Sequence, residues 1–168
     1  IGRPSTYANI MKKNQERGYV VIDSKRFIPQ DKGRIVTSFL GNYFEKYLDY
    51  NFTANKENEL DLISKGKASW KDMLGSFWED FKYKVEDTVN LSNTVIYNFL
   101  NDDLKESLYP SIKATNDSQT CPKCKSSKLS IKMRRNGTGP FVACTSHPDC
   151  NFIRGSVFPK ALNNKQTL

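Results

Sequence analysis

The sequence lacks any apolar run that could cross a membrane. No stretch approaches the roughly 20 consecutive apolar residues that a spanning helix needs, 26% of the residues are charged, and the mean hydropathy is −0.63. The start of the chain also lacks the positively charged and then apolar segments of a secretory signal. These absences predict a cytoplasmic protein with no membrane partner.

Acidic residues are almost missing from the C-terminal part of the chain. Residues 121–168 contain nine lysines and arginines and a single acid, Asp149, whereas residues 1–120 contain 17 basic and 17 acidic residues. The whole net charge of +8 therefore lies in this last part. A small, strongly basic segment favours a polyanion, because binding releases counterions from the phosphates. A solvated basic tail is the alternative, but the charge coincides with a cysteine framework, which favours nucleic acid.

Cysteine is scarce, and all four cysteines lie in the basic part: Cys121, Cys124, Cys144 and Cys150. Two disulfides would suit a secreted chain. The spacing is Cys-x2-Cys, then 19 residues, then Cys-x5-Cys. Zinc prefers four soft ligands, such as cysteine thiolates, in a tetrahedron, and a tight turn presents two thiolates three residues apart. The pattern therefore predicts a zinc site.

The residues between the two cysteine pairs predict a hairpin. Residues 129–133 alternate in the manner of a strand, residues 136–139 suit a turn, and residues 140–143 suit a returning strand, which together make a zinc ribbon. His147 lies inside the wide second pair and could replace Cys150, although a bulged turn that reaches Cys150 is favoured. Four protein ligands leave no open position, so the zinc is expected to be structural, and so small a ribbon should fold only with metal bound.

Aromatic and basic residues are interleaved in this ribbon. Bases stack on aromatic rings and phosphates pair with cations when a protein holds a single strand. The two rings could instead pack the small core of the ribbon. The candidate contacts to single-stranded DNA are Lys132, Arg134, Arg135, Phe141, Phe152 and Arg154.

Residues 1–110 predict a mainly helical segment with one small hairpin. A helix over 5–17 follows Pro4 and is capped by Ser5 or Thr6, a hairpin covers 19–28, and Asp31 caps a helix whose apolar stripe extends to Leu48. Helices are also expected over 53–65, 69–90 and 95–108. The aromatic stripe that contains Phe77, Trp78 and Phe81 is interpreted as core packing.

The predicted fold class is α+β. A winged-helix-like order of helix, hairpin and helix begins the chain, and a small β zinc ribbon ends it. The predicted domains are residues 1–110, a polar linker over 111–119, and the four-cysteine zinc ribbon with its basic tail over 120–168.

Several separate motifs resemble bacterial type IA DNA topoisomerases in their order and spacing. The opening Gly2-Arg3-Pro4-Ser5-Thr6-Tyr7-Ala8 is similar to the GRPSTYA motif of that family, and the cysteine ribbon is similar to its C-terminal ribbons. Further matching segments are Arg17-Gly18-Tyr19-Val20, Gly33-Arg34-Ile35-Val36-Thr37, Asp49-Tyr50-Asn51-Phe52-Thr53-Ala54, Glu59-Leu60-Asp61 and Gly66-Lys67-Ala68-Ser69-Trp70. The resemblance covers about residues 1–87 and 120–153.

The resemblance implies relaxation of negatively supercoiled DNA by transient single-strand cleavage and strand passage, with Mg²⁺ held in an acidic Toprim domain. In that family the GRPST stretch contacts the backbone of the cleaved strand, and Arg3, Ser5 and Thr6 match its positions. Hydroxyls, helix-start N–H groups and a guanidinium suit a phosphate. Single-stranded DNA is the implied partner, with RNA polymerase as an alternative partner of the ribbon.

The family's catalytic tyrosine motif and its Toprim cluster are not found in the sequence, and the chain starts at Ile1 rather than at methionine. We therefore expect a fragment that binds DNA but does not cut it, from a parent that is an isomerase. A non-enzymatic winged-helix and zinc-ribbon adaptor for nucleic acid is the main alternative. A module that docks on an acidic protein is a third possibility, and weak dependence of DNA binding on salt would favour it.

Overall fold

The computed structural model describes residues 3–110, 119–134, 139–155 and 157–158. These residues belong to two compact units. The first unit joins residues 1–13 with 39–92, and the second joins residues 14–38 with 93–168. The division into domains 1–110, 111–119 and 120–168 stays a prediction. None of the helices in the described ranges combines the length and the apolar character that crossing a bilayer demands.

The first helix, α1 (Pro4–Glu16), begins one residue earlier than predicted. Pro4 suits the first helical position, because its φ is already helical and its missing N–H has no partner to lose. The prediction that Ser5 or Thr6 caps the helix is wrong, since both residues lie in its first turn. The Thr6 hydroxyl instead accepts a hydrogen bond from the Arg3 N–H at 3.3 Å and donates to the Arg3 carbonyl at 2.8 Å.

The predicted hairpin is confirmed as β1 (Val20–Asp23) and β2 (Arg26–Pro29), which pair antiparallel. Ser24 and Lys25 form the two-residue turn with φ values of 48° and 64°. Two consecutive residues with positive φ are the signature of the turn whose twist matches that of paired strands.

The long helix predicted from Asp31 to Leu48 is divided in two. Helix α2 (Asp31–Tyr43) ends at a break at Phe44, and α3 (Glu45–Leu48) follows. The Phe44 ring packs against the rings of Phe39, Tyr47 and Phe81. The prediction that Asp31 caps the helix is wrong, because Asp31 is itself helical and its carboxylate accepts from the Val157 N–H at 2.9 Å.

Two longer helices complete the first unit. Asp49 caps α4 (Tyr50–Ser64) by accepting from the N–H groups of Asn51 and Phe52, and Ser69 caps α5 (Trp70–Val89) by accepting from the Asp72 N–H. These side chains satisfy N–H groups that a helix start leaves unpaired. The Ser69 cap was predicted, whereas the Asp49 cap starts its helix earlier than the sequence indicated.

An aromatic cluster joins α3, α4 and α5 in the first unit. The Phe77 and Phe81 rings stack with their centroids 5.5 Å apart, and the Tyr47 ring meets both of them edge-on. These contacts confirm that Phe77 and Phe81 are packing residues. Trp78 is 55% exposed, so its predicted burial is wrong. Trp78 lies at the margin of the apolar face of α5, where its ring lies 6.4 Å from the Phe81 ring.

The second unit carries a small antiparallel sheet beside short helices. The unit contains the β1-β2 hairpin and the start of α2. Its further helices are α6 (Asn93–Asp103) and α7 (Lys105–Leu108), and its further strands are β3 (Leu129–Met133), β4 (Pro140–Cys144) and β5 (Ile153–Arg154), in the order β3-β4-β5. Its buried apolar side chains include Leu100, Leu108, Ile131, Val142, Val157 and Phe158. The α+β prediction is confirmed, with a mainly helical part followed by a small β ribbon.

Candidate metal centre and nucleic-acid interface

The four cysteine sulfurs meet at one point beside the three-stranded sheet. The Sγ atoms of Cys121 and Cys150 lie 3.8 Å apart, those of Cys124 and Cys144 lie 3.7 Å apart, and all four are within 4.8 Å of one another. Four sulfurs at about 2.3 Å from a tetrahedral zinc are about 3.8 Å from each other. A disulfide would need about 2.05 Å, so the cysteines are free thiols whose spacing fits a tetrahedral metal.

Local backbone geometry presents the sulfurs of the first pair. The Lys125 N–H donates to the Cys121 carbonyl at 2.9 Å, and Lys125 has a φ of 57°, which closes a tight turn. Hydrogen bonds from the Ser126 side chain and from the backbone N–H groups of Ser126 and Ser127 lower the pKa of Cys124 to about 5. Donors aimed at a sulfur favour its thiolate, which is the form that binds metal.

The second pair comes from the end of β4 and the turn that follows it. The Ser146 N–H lies 3.5 Å from the Cys144 sulfur, and the Cys150 N–H donates to the Ser146 carbonyl at 2.9 Å. Cys150 is buried and its sulfur belongs to the cluster, whereas His147 is exposed. The wide Cys-x5-Cys spacing therefore still brings the Cys150 sulfur to the other three.

An open groove of about 620 Å³ lies on one face of the ribbon. Lys132 and Phe141 are directly paired across β3 and β4, and the Arg134 guanidinium lies 5.4 Å from the centre of the Phe141 ring. Four of the predicted DNA contacts line this groove: Lys132, Arg134, Phe141 and Phe152. The sequence reasoning missed Met133, His147 and Ile153, which line it too. Met133 and Ile153 are exposed apolar side chains at strand positions next to predicted contacts. This adjacency in the sequence was the available signal.

One described residue among the predicted contacts, Arg154, does not line this groove. Arg154 donates from Nη2 to the carbonyls of Leu108 at 3.0 Å and Val157 at 2.6 Å, and its guanidinium lies over the Tyr109 ring. Burial lowers the pKa of Arg154. Its guanidinium thus binds within its own unit. Arg135 lies outside the described residues.

The second candidate interface is the start of α1 in the first unit. Arg3, Ser5 and Thr6 are exposed there. The Arg3 guanidinium forms an ion pair with Asp61 at 2.7 Å, and both side chains are about half exposed. Sequence reasoning quoted Asp61 as part of a motif but did not foresee this pairing. The guanidinium is therefore held beside the first turn of a helix, where N–H groups favour an anion.

Comparison with known proteins gives two family matches to this chain. The family described as "DNA topoisomerase" matches residues 1–75, and the family described as "Topoisomerase DNA binding C4 zinc finger" matches residues 118–157. These ranges contain the GRPSTYA segment and all four clustered cysteines. They confirm the resemblance noted from the motifs.

The similar proteins agree with this assignment. DNA topoisomerase 1 of Rickettsia bellii is 44% identical over 157 residues, covering 94% of this chain and 19% of its own length. DNA topoisomerase 1 of Zymomonas mobilis is 40% identical over 155 residues, covering 92% of this chain and 13% of its own length. The solved structure of full-length topoisomerase I from Thermotoga maritima has a TM-score of 0.61 at 22% identity, covering 92% of this chain and 22% of that chain.

The fold and the four-thiol cluster define a helical protein with a C4 zinc-finger ribbon. The chain belongs to the DNA topoisomerase family, through residues 1–75 and through the zinc-finger residues 118–157. It spans about a fifth of the length of the Rickettsia relatives that it matches.

Proposed function

We propose that this chain is a DNA-holding part of a type IA topoisomerase and that its ribbon binds single-stranded DNA. The observation that carries the proposal is the groove in which Lys132, Arg134, Phe141 and Phe152 come together. Stacking on an aromatic ring accepts any base, and neighbouring cations pair with the phosphates, so such a surface suits a single strand without strong sequence preference. The family name that matches residues 118–157 includes DNA binding, which supports the same role.

Zn²⁺ is the metal that fits the four thiols. Cys121, Cys124, Cys144 and Cys150 would hold it as a closed tetrahedral site, and such a site is structural because no position is open to water. The sulfur spacing of 3.7–3.8 Å supports this assignment. Bound zinc would fix the two turns that carry the cysteines and, through them, the strands that line the groove.

Arg3, Ser5 and Thr6 are proposed as a second contact, to the phosphate backbone of the strand. A guanidinium beside the first turn of a helix is a suitable phosphate site. The ion pair with Asp61 places the guanidinium next to this turn. A phosphate would compete with the Asp61 carboxylate for the guanidinium.

The activity proposed for the whole enzyme is relaxation of negatively supercoiled DNA by transient single-strand cleavage and strand passage. Its Mg²⁺ would be held outside the present residues, and we expect the isolated chain to be inactive because none of its eight tyrosines lies in the family's catalytic motif.

The proposed location is the cytoplasm, on the nucleoid. RNA polymerase is a further proposed partner of the basic ribbon. Residues 1–110, 111–119 and 120–168 are proposed as core segment, linker and ribbon.

The test is fluorescence anisotropy of the 168-residue chain with a labelled single strand and a matched duplex, over a series of salt concentrations, before and after zinc removal by a strong chelator. We expect the single strand to bind more tightly, with affinity that falls steeply with salt and is mostly lost on chelation. Binding that is absent, or that is unchanged after zinc loss, would show that the ribbon is not the DNA-holding surface. Weak salt dependence would favour a protein partner.

A further inference from the structure

Asn101 of α6 is a buried polar side chain that reaches the ribbon. It is 6% exposed. Its Nδ2 donates to the Tyr97 carbonyl at 2.6 Å and to the Ser130 hydroxyl at 2.9 Å, and its Oδ1 accepts from the Ile131 N–H at 3.0 Å and from the Tyr109 hydroxyl at 2.9 Å. An amide side chain has two donors and two acceptor positions. All four are used here, and three of them involve groups outside α6.

These bonds cover the outer edge of β3 in the ribbon sheet. Among the described strands, β3 pairs with β4 on one side only. On the other side a single bridge joins Thr120 to Lys128 and the Leu129 N–H donates to the Gln119 carbonyl at 2.7 Å, whereas the Ile131 N–H and the Leu129 carbonyl bond to side chains. The Ile131 N–H there donates to Asn101. The Leu129 carbonyl accepts from the Gln119 side chain at 3.1 Å, and it shares the single hydrogen of the Tyr109 hydroxyl, at 3.1 Å, with the Asn101 Oδ1. An exposed strand edge is a template for unwanted pairing. Side chains from the helical part therefore complete the sheet of the ribbon.

Tyr109 and Gln119 stand on either side of residues 111–118. Both donate to the same acceptor, the Leu129 carbonyl. Two chain positions that bond to one atom cannot separate unless these bonds break. The end of the helical part and the start of the ribbon are thus joined at β3, and this joint does not depend on the residues between them.

The other end of the ribbon is held as well. Arg154 of β5 donates to the Leu108 carbonyl at the end of α7, and the Val157 N–H donates to the Asp31 carboxylate at the start of α2. The Arg34 guanidinium also lies 5.3 Å from the centre of the Phe158 ring. All of these residues belong to the second unit. The ribbon is therefore attached at both of its outer strands.

We propose that Asn101 and Tyr109 are positioning residues that lock the ribbon onto α6 and α7, so that these helices and the metal site unfold and refold together. The groove then has a fixed position on its unit. Loss of zinc increases local unfolding of α6 as well as of the ribbon. The inference rests on the proposed zinc site but not on DNA binding.

The test is amide hydrogen exchange, followed by NMR, on the zinc-loaded 168-residue chain. The probes are the Leu100 amide in α6, the Ile131 amide in β3 and the Phe77 amide in α5, which lies in the other unit and serves as an internal control. We expect chelation of zinc to speed exchange at Leu100 and Ile131 together and to leave Phe77 unchanged. In the zinc-loaded Asn101→Leu variant we expect exchange at Ile131 to rise about tenfold, as for a loss of about 1.4 kcal/mol.

Two further variants keep the test decisive. Asn98→Leu makes the same change at an exposed position of α6 and should leave both probes unchanged. Tyr109→Phe removes only the hydroxyl, so it gives a reading even if Asn101→Leu does not fold, and it should speed exchange at Ile131 in the same direction. Zinc release to a chromogenic chelator should accelerate in both Asn101→Leu and Tyr109→Phe.

Two results would overturn the proposal. Exchange at Ile131 that is unchanged in Tyr109→Phe would show that this bond network does not hold the ribbon. Zinc content, measured on the same samples, separates the remaining cases. If the chain takes up zinc but chelation leaves the exchange rate of the Leu100 amide unchanged, only the coupling is overturned. If the chain takes up no zinc, both the metal site and the coupling are overturned.

Discussion

The Arg3 guanidinium is bound to the Asp61 carboxylate at 2.7 Å across 58 positions of sequence. The two residues come from different motifs, so the pairing links the GRPSTYA segment to α4. Both side chains are about half exposed, and ion pairs of this kind contribute only about 0.2–1 kcal/mol. The pair is therefore weak enough for a phosphate to replace the carboxylate.

We predict that Asp61→Asn strengthens binding of single-stranded DNA. The change removes a negative charge beside the proposed phosphate site and releases Arg3, which should raise the affinity about two- to fivefold at low salt, as the range for exposed pairs allows. Anisotropy titrations at several salt concentrations measure this, and the gain should shrink as salt rises. Glu79→Gln, an equal charge change on an exposed position of α5, is the control. Equal gains in both variants would show only a general charge effect.

Gly33 is predicted to tolerate no side chain. A Cβ at this position would lie 2.3 Å from the Tyr19 carbonyl oxygen, whereas a Cβ at Gly41 of the same helix would meet nothing within 4 Å. Gly33→Ala should therefore destabilise the chain by about 1–3 kcal/mol through overpacking. Gly41→Ala should stabilise it by about 0.5–1 kcal/mol through the lower entropy of the unfolded chain. Thermal unfolding followed by circular dichroism checks both, and shifts of the same sign would contradict the reasoning.

The zinc ligand set is predicted to include Cys150 and not His147. Cys150→Ser should lower zinc affinity by more than about 100-fold. Mutation of a residue that only hydrogen-bonds to a metal ligand already lowers metal affinity about 10–100-fold, and loss of a ligand itself should cost more. His147→Ala should leave the metal content at one zinc per chain, since its side chain is exposed and outside the sulfur cluster. Metal analysis and competition with a chromogenic chelator measure this. Retention of zinc in Cys150→Ser with loss in His147→Ala would reverse the assignment.

Phe141 is predicted to stack with a base. Phe141→Ala should weaken single-strand binding by about 1–3 kcal/mol, the range for one stacked base, and should leave the salt dependence unchanged because no charge is lost. The comparison is Phe27→Ala, which removes an exposed ring from the hairpin strand β2. Zinc content confirms that both variants keep the ribbon. If the two variants bind alike, the ring of Phe141 has no special role.

Tyr109 is predicted to ionise far above the usual range. Burial raises its pKa to about 12, and the nearby Arg154 charge opposes this only in part. The unfolded chain loses the same proton near about pH 10. The folded state therefore retains a proton that the unfolded state has released, so the contribution of Tyr109 to stability is complete below about pH 10 and is lost between about 10 and 12. The ultraviolet difference titration of wild type against Tyr109→Phe should show its transition near pH 12. A transition near about 10 would mean that the phenol is open to water.

Local pattern was sufficient for much of this protein. The cysteine spacing, the two strands at 129–133 and 140–144, the hairpin at 20–29 and the Ser69 cap depend on residues close in sequence, and each has a known local geometry. The same patterns, together with the quoted motifs, indicated the topoisomerase family. They also placed Lys132, Arg134, Phe141 and Phe152 on one small module.

Tertiary contacts decided the rest, because single polar partners far apart in sequence leave no periodic signal. Nothing local shows that Asn101 meets Ile131, that Asp31 meets Val157, or that Gly33 must leave room for the Tyr19 carbonyl. The same holds for Arg154, whose basic side chain suggested a DNA contact and whose guanidinium is bound to the carbonyls of Leu108 and Val157. Charge and periodicity belong to the sequence alone, whereas the partner that a polar group finds is determined only when the chain has folded.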